Sequence, residues 1–90
     1  MKRIIIDVFG TVQGVFFRHN TKKVAQKLKL TGYVRNMSNG SVHIEAEGLQ
    51  EKLGELLKFV RVGPIYARVD KINYRYADAT NEFSNFSYSF

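Results

Sequence analysis

Ninety residues, 44% of them apolar, are enough for one domain and too few for two. Fourteen Lys and Arg against eight Asp and Glu give a net charge of +6, which attracts anions such as nucleic acid, a membrane surface or a phosphorylated metabolite. The lack of cysteine excludes disulfides, zinc–thiolate sites and thiol nucleophiles. Because no apolar run could span a bilayer and no signal peptide is evident, we expect one soluble, cytoplasmic domain over residues 1–90.

The first third of the chain predicts a strand followed by a helix. Arg3 to Phe9 (RIIIDVF) is a β-branched run that is typical of a well-buried strand. From Thr21 to Leu30 apolar residues recur at helical spacing among lysines, which predicts an amphipathic helix. Gly32 stands where a glycine is expected to end that helix.

A hairpin is predicted next. The segments Tyr33–Asn36 and Ser41–Glu47 have strand patterns and are joined through Asn39–Gly40, a strong short-range hairpin signal. The second strand alternates, so one face is expected in the core and the other in solvent. Its predicted core residues are Val42, Ile44 and Ala46, and its predicted solvated residues are His43, Glu45 and Glu47.

The rest of the chain predicts a second helix and two more strands. A stripe of apolar residues from Leu49 to Val60 has helical spacing, and Gly63–Pro64 is expected to close that helix. Ala67 to Tyr76 is a predicted strand. Phe83 to Phe90 is a candidate short fifth strand with Phe86, Tyr88 and Phe90 on one side.

The predicted order is therefore β-α-β-β-α-β with a tail. This order is that of an α+β, ferredoxin-like split βαβ sandwich, in which two helices cover one face of an antiparallel four- to five-stranded sheet. The fold alone decides no function, because enzymes, RNA binders and ligand sensors all use it.

The loop from Gly10 to Arg18 connects the first strand to the first helix. Backbone N–H groups of a glycine-bearing loop and of a helix N-terminus can converge on an anion such as phosphate. Arg18 could bind two phosphate oxygens with its planar guanidinium. The simpler alternative is that Gly14 only permits a turn and Arg18 is a surface charge, and the loop by itself does not exclude it.

Asn36 adds a second polar group at the same edge of the sheet. In a split βαβ sheet the first two strands run parallel with the third between them, so their carboxyl ends lie about 10 Å apart. An amide on Asn36 would thus face a phosphate on the loop across a gap that admits a water, although Asn36 could also simply begin the hairpin turn. No Ser–His–carboxylate set and no metal-ligand spacing is present, and His19 is expected at the helix start. Any reaction here would rely on positioning and electrostatics.

Two motifs resemble the signatures of the acylphosphatase family. The first is Val12 to Arg18 (VQGVFFR), and the second runs from Gly32 to Asn36 (GYVRN) and continues through Gly40, Val42 and Gly48. The resemblance covers nearly the whole chain and implies the ferredoxin-like fold reached above. The chain departs from the family in its last six residues (NFSYSF), which lack an arginine that is common there.

The resemblance implies a function for the loop and for Asn36. Arg18 would bind the substrate phosphate, Asn36 would orient the attacking water, and the substrate phosphate itself would assist proton removal. Thr21 would steady the helix start, or act as an ordinary cap. The backbone N–H groups that would bind the phosphate are those of Gln13, Gly14, Val15, Phe16, Phe17 and Arg18.

We therefore expect a hydrolase that splits the carboxyl-phosphate anhydride of a small-molecule acyl phosphate. It would act as a monomer without cofactor, metal or covalent intermediate, and would bind neither nucleic acid nor membrane. Two alternatives stay open: a non-catalytic anion-sensing domain and an RNA-binding domain of the same fold. The acidic third strand, which has no aromatic residue, argues against RNA binding.

Overall fold

The computed structural model of the chain describes residues 1–89, apart from the side chain of Ser89, so the expected position of Phe90 lies outside the described residues. The elements in chain order are β1 (Lys2–Thr11), α1 (Phe17–Lys27), β2 (Thr31–Asn36), β3 (Val42–Gly48), α2 (Gln50–Val62), β4 (Arg68–Asp78) and β5 (Phe86–Ser89). The five strands form one sheet in the order β4-β1-β3-β2-β5.

The strand directions confirm the predicted ferredoxin-like split βαβ fold. β3 pairs antiparallel with both β1 and β2, so β1 and β2 run parallel on either side of it. β4 adds to the other edge of β1 in antiparallel direction. The sheet is mixed, because β5 pairs parallel with β2. The carboxyl ends of β1 and β2 consequently lie at the same edge of the sheet, where the loop before α1 leaves β1.

The core lies between one face of the sheet and the apolar sides of the two helices. Ile4, Ile6 and Val8 of β1 are fully buried, as the β-branched run predicts, and so are the alternating apolar residues of β3. The largest fully buried side chains include Ile4, Ile6, Val8, Val34, Val42 and Ile44 from the strands and Phe17, Leu53, Leu56 and Val60 from the helices.

The first helix differs from its predicted bounds. α1 begins at Phe17, one turn before Thr21, so Thr21 is a buried residue of the second turn and is not the cap. Gly32 does not end the helix, because it lies inside β2. Lys29 instead takes the left-handed conformation after the helix, with φ of 59°. At Gly32, with φ of 137°, a Cβ atom would collide with the carbonyl oxygen of Glu45, so glycine lets β2 approach β3.

The outer face of the sheet contains a buried carboxylate, so the expectation that Glu47 is solvated was wrong. Its side chain is only 2% exposed and accepts a hydrogen bond from Arg3 Nε at 2.8 Å. The backbone N–H groups of Thr80 and Asn81 donate to the same carboxylate at 2.8 and 2.9 Å. Burial favours the neutral acid, but these hydrogen bonds outweigh it and hold the pKa of Glu47 below its usual value.

His43 lies on the same outer face of β3, as the alternation predicts. Its Nδ1 is 2.7 Å from Asp7 Oδ1 and its Nε2 is 2.8 Å from Glu45 Oε2. Burial lowers the pKa of His43, but the hydrogen bonds to Glu45 and Asp7 outweigh it and raise the pKa above its ordinary value. Tyr33 donates its hydroxyl to Glu45 at 2.8 Å, and burial with this bond raises the pKa of Tyr33 to about 12. Glu45 is thus enclosed by hydrogen-bond donors and is not an ordinary solvated residue.

Candidate active site

The loop between β1 and α1 has an unusual backbone. Gly14 has a φ of 73° and Phe16 a φ of 62°, both in the left-handed region. A bulky residue such as phenylalanine rarely adopts this conformation, which costs about 1–3 kcal/mol. Left-handed residues within a turn are typical of loops whose successive backbone N–H groups converge on an anion. The backbone thus has the character that the phosphate-loop prediction requires.

Neighbouring groups hold Phe16 in this conformation. Its carbonyl oxygen accepts hydrogen bonds from the backbone N–H of Asn20 at 3.0 Å and from Asn20 Nδ2 at 2.9 Å. The next residue, Phe17, is fully buried and its ring lies 6.5 Å from the ring of Phe59. Phe16 occupies the N-cap position of α1 but gives no side-chain cap, so a ligand could accept hydrogen bonds from the first N–H groups of the helix.

Gln13 connects the loop to the β2–β3 hairpin. Its Nε2 donates to the carbonyl oxygens of Met37 at 2.8 Å and Ser41 at 2.9 Å. Sequence reasoning assigned only the backbone of Gln13 to the site and missed this role of the side chain. Its partners are backbone carbonyl groups 24 and 28 residues away, which no spacing rule identifies.

A cavity of about 310 Å³ opens at this edge of the sheet. Its volume falls at the lower end of the range for small-molecule sites. Arg18 and Asn36 both line it, so the structure brings together the two side chains that the sequence singled out. Among the predicted backbone groups, those of Gln13 and Val15 do not line the cavity. The lining residues are Val12, Gly14, Phe16, Phe17, Arg18, His19, Asn36 and Tyr88.

Asn36 is the last residue of β2 and presents a buried acceptor. Within residues 1–89 its Oδ1 atom is buried and accepts no hydrogen bond, and the same is true of Thr21 Oγ1 beneath the loop. A buried polar atom without a partner costs about 1–3 kcal/mol, so such atoms occur where a bound molecule satisfies them or where strain is tolerated for function. Asn36 lines the cavity, so the side-chain amide that carries this oxygen can orient a polar molecule there.

Tyr88 is a lining residue that sequence reasoning missed. Its ring lies 5.6 Å from the guanidinium carbon of Arg18 and 5.3 Å from Lys22 Nζ, both within cation–π range. Arg18 and Lys22 stand one turn apart on α1. The tail alternation predicted Tyr88 on one side of a short strand, but the pairing of β5 with β2, which brings that side to the cavity, has no local sequence signal.

The cavity is positively charged. Arg18 lines it, Lys22 lies beside it, and the lining contains no Asp or Glu. Within residues 1–89, no three His, Asp or Glu side chains form a group that could hold a metal ion. In the same part of the chain, no helix has the length and hydropathy needed to cross a membrane. The electrostatics of the cavity favour an anionic ligand.

Comparison with known proteins identifies the family. The acylphosphatase family model matches residues 4–88. An acylphosphatase of Salinibacter ruber is 44% identical over 85 residues, which cover 94% of this chain and 90% of that protein. The chain belongs to the acylphosphatase family. The resemblance seen in the two sequence motifs is thereby confirmed.

Solved structures of acylphosphatases share the whole fold of this chain. The crystal structure of the acylphosphatase from Bacillus subtilis superposes with a TM-score of 0.95 at 33% identity and covers both chains completely. An acylphosphatase structure from Coxiella burnetii gives a TM-score of 0.90 at 35% identity and covers 98% of this chain and 92% of that one. The acylphosphatase fold therefore accounts for every element described above.

Proposed function

We propose that this acylphosphatase-family chain hydrolyses acyl phosphates to a carboxylate and inorganic phosphate. The observation that carries the proposal is the meeting of Arg18 and Asn36 in one cavity beside a left-handed loop. The first residue is a permanent cation at a helix N-terminus, and the second carries a side-chain amide and lines the same cavity. These are the groups needed to bind a phosphate and to orient a neutral nucleophile.

The loop and Arg18 would bind the phosphate of the substrate. The guanidinium can donate two parallel hydrogen bonds to phosphate oxygens, while the backbone N–H groups of Gly14 and of residues 16–18, which line the cavity, would donate from the loop. The left-handed conformations of Gly14 and Phe16 support this arrangement. Thr21, buried one turn after Arg18, would act only by packing beneath the loop and fixing the start of α1.

Asn36 would orient a water molecule for attack on phosphorus. A bond forms between the water oxygen and phosphorus while the bond from phosphorus to the acyl oxygen breaks, so a carboxylate leaves with the bonding electrons. The proton of the water passes to an oxygen of the substrate phosphate, so no general base on the protein is required. In this mechanism water attacks directly, without a covalent intermediate, metal or cofactor.

The outer face of the sheet supports a small-molecule substrate over RNA. RNA-binding domains of this fold stack bases on aromatic residues of the central strands. Here β3 presents His43, Glu45 and Glu47 on that face, and Arg3 is already paired with both glutamates. We propose that the chain acts as a single-domain, cytoplasmic monomer.

Phosphate release from benzoyl phosphate tests the proposed function. The native chain should hydrolyse it without added metal and equally well in EDTA. Arg18→Ala and Asn36→Ala should each lower kcat/KM by roughly 100- to 1,000-fold, because each removes a group that stabilises the transition state. Arg35→Ala, an exposed cation one residue before Asn36, is the matched control and should keep native activity.

Each outcome decides a separate part of the proposal. A native chain that releases no phosphate would contradict the hydrolase function and leave the anion-sensing alternative. Full activity in Arg18→Ala or Asn36→Ala would contradict the role given to that residue. Loss of activity in EDTA, restored by a divalent metal, would contradict the metal-free mechanism.

A further inference from the structure

Two exposed aromatic rings line the cavity beside the groups assigned to phosphate and water. Phe16 is 69% exposed and Tyr88 39% exposed, although large aromatic side chains are usually more buried. The other apolar lining residues, Val12 and Phe17, are each only 1% exposed and belong to the core. Phe16 and Tyr88 are therefore the apolar groups left to contact whatever extends from a bound phosphate.

Tyr88 is fixed in place by the cations around it. Arg18 and Lys22 lie 5.6 and 5.3 Å from its ring, so the ring lies against α1. The next aromatic residue on the same side of β5, Phe86, is buried and anchors the strand to the core. A ring held in this way forms a preformed wall, which loses little conformational entropy when a ligand packs against it.

The cavity has room for more than a phosphate. Its volume of about 310 Å³ lies within the range of sites that bind whole small molecules. A bound phosphate with its attacking water fills only part of this space. The rings of Phe16 and Tyr88 line the same cavity and can pack against a flat apolar group by stacking or edge contacts.

We propose that Tyr88, with Phe16, forms an acyl-binding wall that makes the chain prefer acyl phosphates with an aromatic or large apolar acyl group over small ones. This inference rests on the proposed function, because it names the substrate class of the same site. Tyr88 is a specificity-determining residue here: it contacts the acyl group and takes no part in bond breaking.

The test compares kcat/KM for benzoyl phosphate with kcat/KM for acetyl phosphate. The ratio of the two values should fall about threefold to tenfold in Tyr88→Ala, because one ring contact to the benzoyl group is lost. Tyr88→Phe keeps the ring and should keep the ratio. In Tyr88→Val the ratio should fall as it does in the alanine variant. Because valine is a strand-forming residue, this variant provides the test if Tyr88→Ala does not fold.

Tyr76→Ala is the matched control. Tyr76 is a tyrosine of similar exposure, 36%, that lies on β4 and does not line the cavity, so its removal should leave the ratio unchanged. The inhibition constant of inorganic phosphate reports on the phosphate-binding loop and should change less than about twofold in Tyr88→Phe, because a retained ring still holds Arg18.

The results separate this inference from the proposed function. If the native chain hydrolyses neither substrate, the proposed function fails. If it hydrolyses both and Tyr88→Ala and Tyr88→Val lower both kcat/KM values equally, Tyr88 only positions Arg18 and the wall is disproved. A fall of this ratio in Tyr88→Phe would also overturn the inference, since the hydroxyl and not the ring would then be responsible for the substrate preference.

Discussion

The two clusters of polar side chains on this small sheet are organised in opposite ways. On the outer face, Arg3, Glu45, Glu47 and His43 satisfy one another through hydrogen bonds of 2.8 to 3.0 Å. At the edge of the sheet, Asn36 keeps a buried oxygen without a partner within residues 1–89, and the loop beside it contains a left-handed Phe16. One cluster completes its hydrogen bonds within the protein, and the other leaves capacity for a ligand.

This difference shows how a buried polar group can be assigned to stability or to function. Removing one partner of a fully paired buried charge destabilises a fold, because the other partner is left desolvated and unsatisfied. Strain and unsatisfied atoms persist where a ligand compensates for them. Substitutions in the outer cluster should therefore change the free energy of unfolding, and substitutions at the edge should change activity.

The largest effect of this kind is expected for Glu47→Gln. The amide cannot accept all the hydrogen bonds that the carboxylate takes from Arg3, Thr80 and Asn81, and one of its N–H groups would face a donor. We expect a loss of about 2–4 kcal/mol in the free energy of unfolding, measured by urea denaturation. The value of kcat/KM at 25 °C should stay native as long as the variant is folded.

Asp78→Asn is the control for this change. Asp78 pairs with Lys2 at 3.2 Å, but its side chain is 93% exposed, so the free energy of unfolding should change by less than about 1 kcal/mol. A similar cost for both substitutions would show that burial does not distinguish the two ion pairs. A fall in activity of folded Glu47→Gln would show that the two regions are coupled.

Gln13→Ala should lower both the free energy of unfolding and the activity, so Gln13 contributes to both stability and function. Its two hydrogen bonds fix the loop relative to the hairpin that carries Asn36. The carbonyl groups of Met37 and Ser41 keep backbone donors in the hairpin, so we expect a moderate loss of about 1–2 kcal/mol in stability. A shift of the loop should also lower kcat about tenfold, with a smaller change in KM.

Steady-state kinetics and urea denaturation of the same Gln13→Ala preparation check this expectation. Gln13→Glu is a useful companion, because a carboxylate keeps the length of the side chain but cannot donate to the two carbonyl oxygens. Native kcat in both variants would show that the distance between loop and hairpin is fixed by other contacts.

The smallest effect concerns the pH dependence of stability through His43. Because the pKa of His43 is raised in the folded protein, its charged form stabilises the fold fully below about pH 6.5, the ordinary value. That stabilisation is lost as the pH rises through the raised pKa, when the ring can donate to only one of Asp7 and Glu45. The free energy of unfolding measured by urea denaturation should be lower at pH 9 than at pH 6. This difference should be smaller in His43→Gln. The same difference between pH 6 and pH 9 in the variant as in the native chain would assign the decrease to groups other than His43.

Much of the fold and the two main site residues were predictable from the sequence. Strand and helix periodicity gave the element order, and that order placed the ends of β1 and β2 at one edge of the sheet. From this geometry Asn36 was predicted to face a phosphate on the loop that ends at Arg18, and in the structure both residues line one cavity. Neither the sequence nor the structure shows the catalytic roles of Arg18 and Asn36, which stay predictions.

The remaining features depend on contacts between distant segments. Glu47 alternates with core residues and so has the pattern of a solvated residue, but the segment around Thr80 folds over it and buries it. Tyr88 reaches the cavity because β5 joins β2 in parallel, a pairing that local patterns cannot specify. The apolar periodicity predicted α1 only from Thr21, although His19 was expected at the helix start. The N-cap itself, a left-handed Phe16, is one that no capping rule anticipates.

The position of β1 inside the sheet has a consequence for the time course of folding. β1 is the first strand of the chain, yet both of its neighbours in the sheet, β3 and β4, come later. Lys2 pairs with Asp78, 76 residues away. At about 5–20 residues per second on the ribosome, a buried β-branched strand waits roughly 4–15 s for its last partner. During that interval its apolar face and its edge are open to chaperones and to other nascent chains.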